Sequence, residues 1–166
     1  DTTASYQEKL ELLQKDAMAN NTTILELNIS DPAGLCYVQG GTVDVSDREW
    51  FKASIRGKHF VSDLLISKTT QNLISTFSIP LYDNEHRIMG VLSADISGLW
   101  FRDNIKDITI GNTGNCYIIG STGATIADQD IDAVTSMLNP SEEGITNAEL
   151  DSCGRFERNA IASSEP

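Results

Sequence analysis

The sequence predicts an α+β fold: an antiparallel sheet with helices on one side, a long N-terminal helix and a truncated second lobe. Three observations lead there. Two apolar runs, Leu73–Tyr82 and Arg87–Ile96, flank the turn Asp83-Asn84-Glu85 and make a long hairpin. A helical pattern with its own stop signal precedes that hairpin at Ser46–Ile55. A strand, Gly turn, strand pattern occurs twice, as ISDPAGLCYV from Ile29 and as YIIGSTGATIAD from Tyr117. The first is followed by a helix and two more strands, the second by a helix alone. The repeat suggests two related lobes, residues 1–103 and 104–166, the second cut short.

Each element has its own signal. Leu10, Leu13 and Ala17 recur at helical spacing, which predicts a helix over Tyr6–Met18 with a narrow apolar face. Thr23–Ile29 alternates, with Ile24, Glu26 and Asn28 on one face and Leu25, Leu27 and Ile29 on the other. Asp31-Pro32-Ala33-Gly34 is a turn into a strand at Leu35–Val38. Ser46 and Glu49 have capping-box spacing, and Gly57 is the helix stop. At about 100° per residue, Arg48, Phe51 and Ile55 share one side of this helix, and Trp50, Ala53 and Gly57 another. Pro80 hints at an edge or a bend. Along the second hairpin strand, Val91, Ser93 and Asp95 point one way and Leu92, Ala94 and Ile96 the other. Gly98–Ile108 is expected helical, Gly111-Asn112-Thr113-Gly114 a turn, and Asn115–Ile119 with Ala124–Ala127 a second hairpin. Asp132–Leu138 reads as a short helix, the chain turns polar after Pro140, and Asn147–Ala162 is weakly helical.

Composition excludes several classes. Lys and Arg number 12 against 24 Asp and Glu, a net charge of −12. Phosphate backbones and anionic lipid headgroups both need clustered cations, so neither is an expected partner. No run approaches the ~18 apolar residues of a membrane span. No signal peptide is present, and the polar start DTTASYQEKLELLQKD reads as the cut end of a longer chain. Cys36, Cys116 and Cys153 are far apart with no CxxC pair, which argues against zinc and for small buried hydrophobes at Cys36 and Cys116. Asp128, Asp130 and Asp132 fail the calcium-loop pattern, because Ala133 stands where Gly is needed and Asn139 where Glu is needed. Helix capping is the better account. His59 and His86 lie in no Ser or Cys nucleophile motif, and no phosphate-binding Gly loop occurs. No enzyme activity, cofactor or metal is expected.

A cation and aromatics at one end of the central unit, Arg48, Trp50 and Phe51, and a carboxylate at the other, Asp95, suggest a small polar ligand held between them. A guanidinium fits a carboxylate bidentately. Trp50 can wall a pocket or fill a core, and Arg48 can clamp a ligand or pair with Asp47 or Glu49. Asp95 lies in an apolar strand and needs a partner if buried, either a ligand or Arg48. Its alternative is an exposed strand end capping Ser97-Gly98. Ser67 sits in the polar stretch Ser67-Lys68-Thr69-Thr70 and can contact a ligand from there, whereas Asp63 reads as a turn residue.

Taken in order, SDREWFKASIRGK, FVSDLLISKTTQNLISTFSIPLYD, MGVLSADIS and GNTGNCYIIGSTGATIAD resemble the double-Cache family. These are PAS-like extracytoplasmic sensor domains of bacterial transmembrane signalling receptors, with two lobes on a long N-terminal helix. The resemblance covers roughly residues 20–128. It implies ligand binding in the membrane-distal lobe, residues 1–103, with 104–166 a partial membrane-proximal lobe. By position, Arg48 and Trp50 of the R-x-W motif would meet the ligand's carboxylate, with Phe51 beside them, and Asp95 its amino group. The family's amino-acid-binding form has Tyr where Val43 stands, a Tyr-x-Asp where Leu65 and Ser67 stand, and Tyr where Phe51 stands. A carboxylate, an amine, an amino acid or another small metabolite therefore stay open. The implied partners are that small molecule and, in the full receptor, a second copy; the membrane would be reached only through helices outside this chain. The implied place is the extracytoplasmic face of the cell membrane. The output stays open among a methyl-accepting chemoreceptor, a sensor histidine kinase and a cyclic-dinucleotide enzyme. The competing reading is a ligand-free structural or dimerisation module, which expects an occluded or apolar cavity and an Arg48–Asp95 pair. A hydrolase expects His59 or His86 beside a nucleophile.

Overall fold

The alternating residues near position 27 form a strand whose two faces meet different partners, and this governs the first half of the molecule. The computed structural model describes residues 5–19, 23–38, 41–112 and 114–163. The chain divides into two compact units, Asp1–Ser97 and Gly98–Pro166, each taken here by itself.

In the first unit the order is α1 (Tyr6–Ala19), β1 (Ile24–Ser30), β2 (Leu35–Val38), β3 (Gly41–Asp44), α2 (Glu49–Ser54), β4 (Phe60–Val61), β5 (Leu65–Ile66), β6 (Leu73–Tyr82) and β7 (Ile88–Ser97). The strands form one antiparallel sheet in the order β3-β2-β1-β7-β6-β4, with β5 also paired to β6. Residues directly opposite each other in an antiparallel ladder share a face. One face therefore carries Tyr37, Ile29, Leu92 and Ile79 across four strands, and the other carries Cys36, Ser30, Val91 and Pro80.

Helix α1 covers the first of these faces. Tyr6 stacks on Tyr37 with ring centroids 5.1 Å apart, its hydroxyl donates to the Met89 carbonyl at 2.6 Å, and Gln14 donates to the Leu27 carbonyl at 2.9 Å. Leu10 is 1% exposed, the anchor of the narrow apolar stripe. Helix α2 lies on the other face, where Ser54 and Ser78 hydroxyls meet at 2.8 Å and Cys36, Val38, Val45, Trp50, Phe51 and Val91 form the core. The helices thus flank the sheet on both faces instead of one. The apolar face on β1 and the apolar side chains of α2 each needed a cover, and one layer could not supply both.

Helix α2 corrects a local expectation. It starts at Glu49, with Arg48 at the N-cap and no side-chain cap, so Ser46 and Glu49 form no capping box. The Asp44 carboxylate takes the Ser46 N–H at 2.9 Å, and Arg48 N–H bonds the Val45 carbonyl at 2.9 Å. This turn uses up the residues that the capping box needed. Gly57 ends the helix at φ +87°, as its stop position required.

The short strands β3, β4 and β5 were not foreseen; two to four residues carry too little alternation to read, and β4 and β5 pair along the edge of the longer β6. Pro80 falls beyond the last β4–β6 pair at Ser78, so its missing N–H leaves no ladder bond broken there.

The second unit contains α3 (Trp100–Ile105), β8 (Thr109–Ile110), β9 (Gly114–Asn115), β10 (Ile118–Ile119), β11 (Thr125–Ala127), α4 (Ile131–Thr135), α5 (Pro140–Glu143) and α6 (Asp151–Ser163). β8 pairs β9 and β10 pairs β11, so the expected turn at 111–114 joins strands of its own; Thr113 lies outside the described residues. Helix α5 was not expected. Asn139 caps it by accepting from Glu142 N–H, and Pro140 opens it. Asp130 caps α4 by accepting from Asp132 N–H at 3.0 Å, and Asp128 braces the turn before it by accepting from Asp130 N–H at 2.8 Å. Among the described residues no acidic, His or Cys cluster could hold a metal ion.

Gly34 has φ +92°, and a Cβ there would stand 2.7 Å from Ser46 Cβ. Its carbonyl also holds Val45 N–H at 2.9 Å. Gly34→Ala is expected to destabilise the fold by about 2 kcal/mol, through backbone strain and displacement of the turn before α2. Urea unfolding monitored by tryptophan fluorescence measures it; an unchanged midpoint would remove the role given to this contact.

Candidate functional site

The core face of the sheet changes character along the strands. At one end Cys36 and Val91 lie under Trp50 and Phe51. At the other end the cross-strand rows are Asn28–Ser93–Ser78 and Glu26–Asp95–Thr76. Small polar side chains at central sheet positions leave space and hydrogen-bonding groups where a core would place apolar ones.

A cavity lies over this join. Its polar lining includes Asn28, Arg48, Ser67, Thr76, Ser93 and Asp95, and its apolar lining includes Val38, Trp50, Leu65 and Ile74. Its volume is about 30 Å³, room for about one water molecule.

The roof is the strap between β5 and β6. Ser67 is its pivot: it is buried, its hydroxyl accepts from Thr69 N–H at 3.2 Å and Thr70 N–H at 3.3 Å, and its carbonyl holds the Gln71 side chain at 3.2 Å. Gln71 sits at φ +60° to close the loop. Three side chains fasten the strap through four contacts. Lys68 Nζ reaches Asp47 at 2.6 Å and the Asp44 carbonyl at 2.9 Å. Thr69 Oγ1 donates to Glu26 at 2.8 Å. Arg48 Nη2 donates to the Ile66 carbonyl at 3.1 Å.

Asp95 is the electrostatic centre. It is 8% exposed, and among the described residues its one hydrogen-bond donor is Thr76 Oγ1, at 2.7 Å. Burial pushes its carboxyl up to about 6, opposed by the Thr76 bond; the Glu26 carboxylate raises it further and Arg48 lowers it. Arg48 and Asp95 therefore feel each other, yet Arg48 spends a hydrogen bond on the strap carbonyl and the two form no ion pair among the described residues. The internal pair expected of a ligand-free module is absent there, and the lining is mixed, not apolar.

Of the six residues singled out from sequence, Arg48, Trp50, Leu65, Ser67 and Asp95 come together around this cavity. Phe51 does not line it. It is 4% exposed in the core and meets Trp50 edge-on at 6.2 Å. Sequence reasoning missed Asn28, Thr76 and Ser93, and the rim residues Glu26, Lys68 and Thr69. The alternation placed Glu26 and Asn28 on one face, but only the β1–β7 register sets that face beside Asp95. His59 and His86 are both exposed.

An antiparallel sheet flanked by helices, with a strapped cavity on one face, is a PAS-like α+β architecture. The chain belongs to the Cache domain family: a model of the Cache domain, in its double form, matches residues 1–158. Among solved structures, the chain is similar to the ligand-binding domain of the Pseudomonas fluorescens chemoreceptor CtaA in complex with L-serine, with TM-score 0.67 and 16% identity over 87% of this chain and 63% of that one. It is also similar to the ligand-binding domain of the Campylobacter jejuni chemoreceptor Tlp3 in complex with L-valine, with TM-score 0.61 and 14% identity over 78% of this chain and 54% of that one. At these identities the likeness is one of fold. A curated relative, Citrate (Re)-synthase of Syntrophus aciditrophicus, is 39% identical over 82 residues, which is 49% of this chain and 13% of that protein. The chain thus spans about half to two thirds of the receptor domains and a small part of the synthase. No helix among the described residues is long and apolar enough to cross a membrane.

Two outcomes follow from this geometry. Asp95 holds its proton more tightly when folded than at its ordinary 3.8, so the stability it contributes falls as pH rises through about 6. Ionised at pH 7 it costs the free protein about 3 kcal/mol. Asp95→Asn is therefore expected to melt above the parent at pH 7 and level with it near pH 4, as calorimetry at the two pH values would record. Phe51→Ala is expected to cost about 3–5 kcal/mol as a core truncation; a shift under 1 kcal/mol in urea unfolding would mean that the aromatic is not core.

Proposed function

We propose that the first unit is the ligand-binding, membrane-distal lobe of an extracytoplasmic sensor domain, and that the chain serves a transmembrane receptor as a binding module, not an enzyme. The observation that carries this reading is a buried carboxylate with one donor among the described residues, set in a mixed-lining cavity beneath a fastened strap. A small polar metabolite bearing an ammonium, a carboxylate or both would meet Asp95 and Arg48, with Trp50 and Leu65 excluding water. The cavity must open to admit it, and the fastenings Lys68–Asp47, Thr69–Glu26 and Arg48–Ile66 are the contacts that would break. Related receptor domains of the same fold, solved with L-serine and L-valine, support the ligand class.

The signal would leave along two elements. Strand β7 carries Asp95 and ends at Ser97, the last residue of its unit. Helix α1 packs on the far face of β1, the strand that bears Asn28 and Glu26. Binding shifts such an element only through differential affinity for its two positions. The second unit would be part of a membrane-proximal lobe, with a homodimer in the full receptor. A ligand-free structural module is the competing reading, favoured by the small volume of the closed cavity.

A thermal-shift screen of the chain against amino acids, organic acids, amines and purines decides between them. A ligand at 100 times its Kd should add about 2.7 kcal/mol. The expected result is a hit lost in Asp95→Asn or Arg48→Ala. No hit anywhere, with the variants altering stability alone, would establish the structural module.

A further inference from the structure

The charge around the cavity is lopsided. Four carboxylates, Glu26, Asp44, Asp47 and Asp95, stand about it against two cations, Arg48 and Lys68. Lys68 is taken by Asp47, and Arg48 gives one of its donors to the Ile66 carbonyl. Glu26 and Asp95 are register partners on β1 and β7, so both carboxylates project from the same face. Like charges directly opposite each other destabilise a sheet, and among the described residues neither has an ion-pair partner. Glu26 accepts from Thr69 and Asp95 from Thr76, both neutral hydroxyls. Thr69, Thr76 and Asp95 line the cavity, and Glu26 stands just behind that lining, bonded to Thr69. The opposite end is apolar, with Cys36, Val38, Val43 and Trp50.

We propose that Glu26 and Asp95 together select a cation, and that the ligand is a small primary amine without a carboxylate, its apolar stem lying toward Val38, Val43 and Trp50. This rests on the sensor reading above and narrows its ligand. A primary ammonium offers three N–H donors and can satisfy both carboxylates and one threonine hydroxyl. It removes the repulsion between Glu26 and Asp95, whereas an added carboxylate on the ligand would bring a further negative charge to a site already in surplus. Glu26 is the specificity residue: it reaches the ligand once Thr69 lifts with the strap. Binding of the amine needs both carboxylates ionised, so affinity falls as pH drops below about 6, where Asp95 takes up its proton.

Three probes with a shared propyl stem test this on the full chain: butan-1-amine, L-norvaline, which adds a carboxylate to that amine, and pentanoate, which lacks the amine. Isothermal titration at pH 7.5 would give their affinities for the parent, Glu26→Gln and Asp95→Asn. The expected result is butan-1-amine binding at least tenfold more tightly than L-norvaline, with pentanoate silent. Glu26→Gln should weaken the amine at least tenfold with its melting temperature no lower than the parent's, because the glutamine oxygen still accepts from Thr69 and the repulsion with Asp95 is gone. Thr69→Val, which frees Glu26 and keeps its charge, should bind the amine as tightly as the parent or more so. L-norvaline binding as tightly as butan-1-amine, no amine binding at all, or an amine affinity indifferent to Glu26→Gln overturns the proposal. A metabolite from the wider screen whose binding depends on Asp95 would then leave the sensor reading standing; silence across both panels would remove that as well.

Discussion

A carboxylate in the middle of a sheet must be kept from water without being left alone, and the first unit is arranged around that demand. Asp95 lies between β1 and β6, where a core would place an apolar side chain. Its neighbours across the ladder are Glu26 and Thr76, and the next row out is Asn28, Ser93 and Ser78. The polar floor follows from accommodating it. So does the roof: a strap of Ser67, Lys68 and Thr69 closes over the site through hydrogen bonds that reach β1, α2 and the turn before it. A group whose ionised form is unfavourable in the free protein gains most from a partner that enters, which is the energetic basis of a binding site built at some expense of stability.

The opposite face of the same sheet shows the other half of the design. There β1 presents Leu27 and Ile29, and α1 is held by a stacked tyrosine pair and two hydrogen bonds to strand carbonyls. One strand therefore lines the cavity through Asn28, holds the strap through Glu26, and meets the helix through the alternate residues. The period of two along a strand makes such a double role unavoidable. A shift of β1 under the strap would be felt by α1 with no further connection between them.

Helix α2 and its N-cap divide their work within seven residues, Arg48 to Ser54. Phe51 and Ser54 fix it to the core, Trp50 spans core and cavity, and Arg48 at the N-cap reaches the strap. Adjacent residues sit about 100° apart on a helix, so a short helix on a sheet must bury neighbours with different tasks. This explains why Trp50 reaches the cavity while Phe51, its neighbour in the same core, does not.

Local order was legible in the chain itself. The long hairpin, the stop at Gly57, the turn at Asp31 and the capping role of Asp130 all depend on residues within a few positions of each other, and each was readable there. Arg48, Trp50, Leu65, Ser67 and Asp95, five of the six residues named, line one cavity, and they were named from local pattern together with the family resemblance, Leu65 from the resemblance alone. Tertiary structure decided what depends on register. Glu26 and Asp95 are far apart in the chain, and nothing local says that β1 pairs with β7 so as to set them opposite each other. The same holds for the helices on both faces, for the capture of Ser46 by Asp44 in place of a capping box, and for the strap that brings Lys68 and Thr69 over the cavity. A strand's alternation tells which residues travel together, while the pairing that tells what they meet is settled by the burial of the whole sheet.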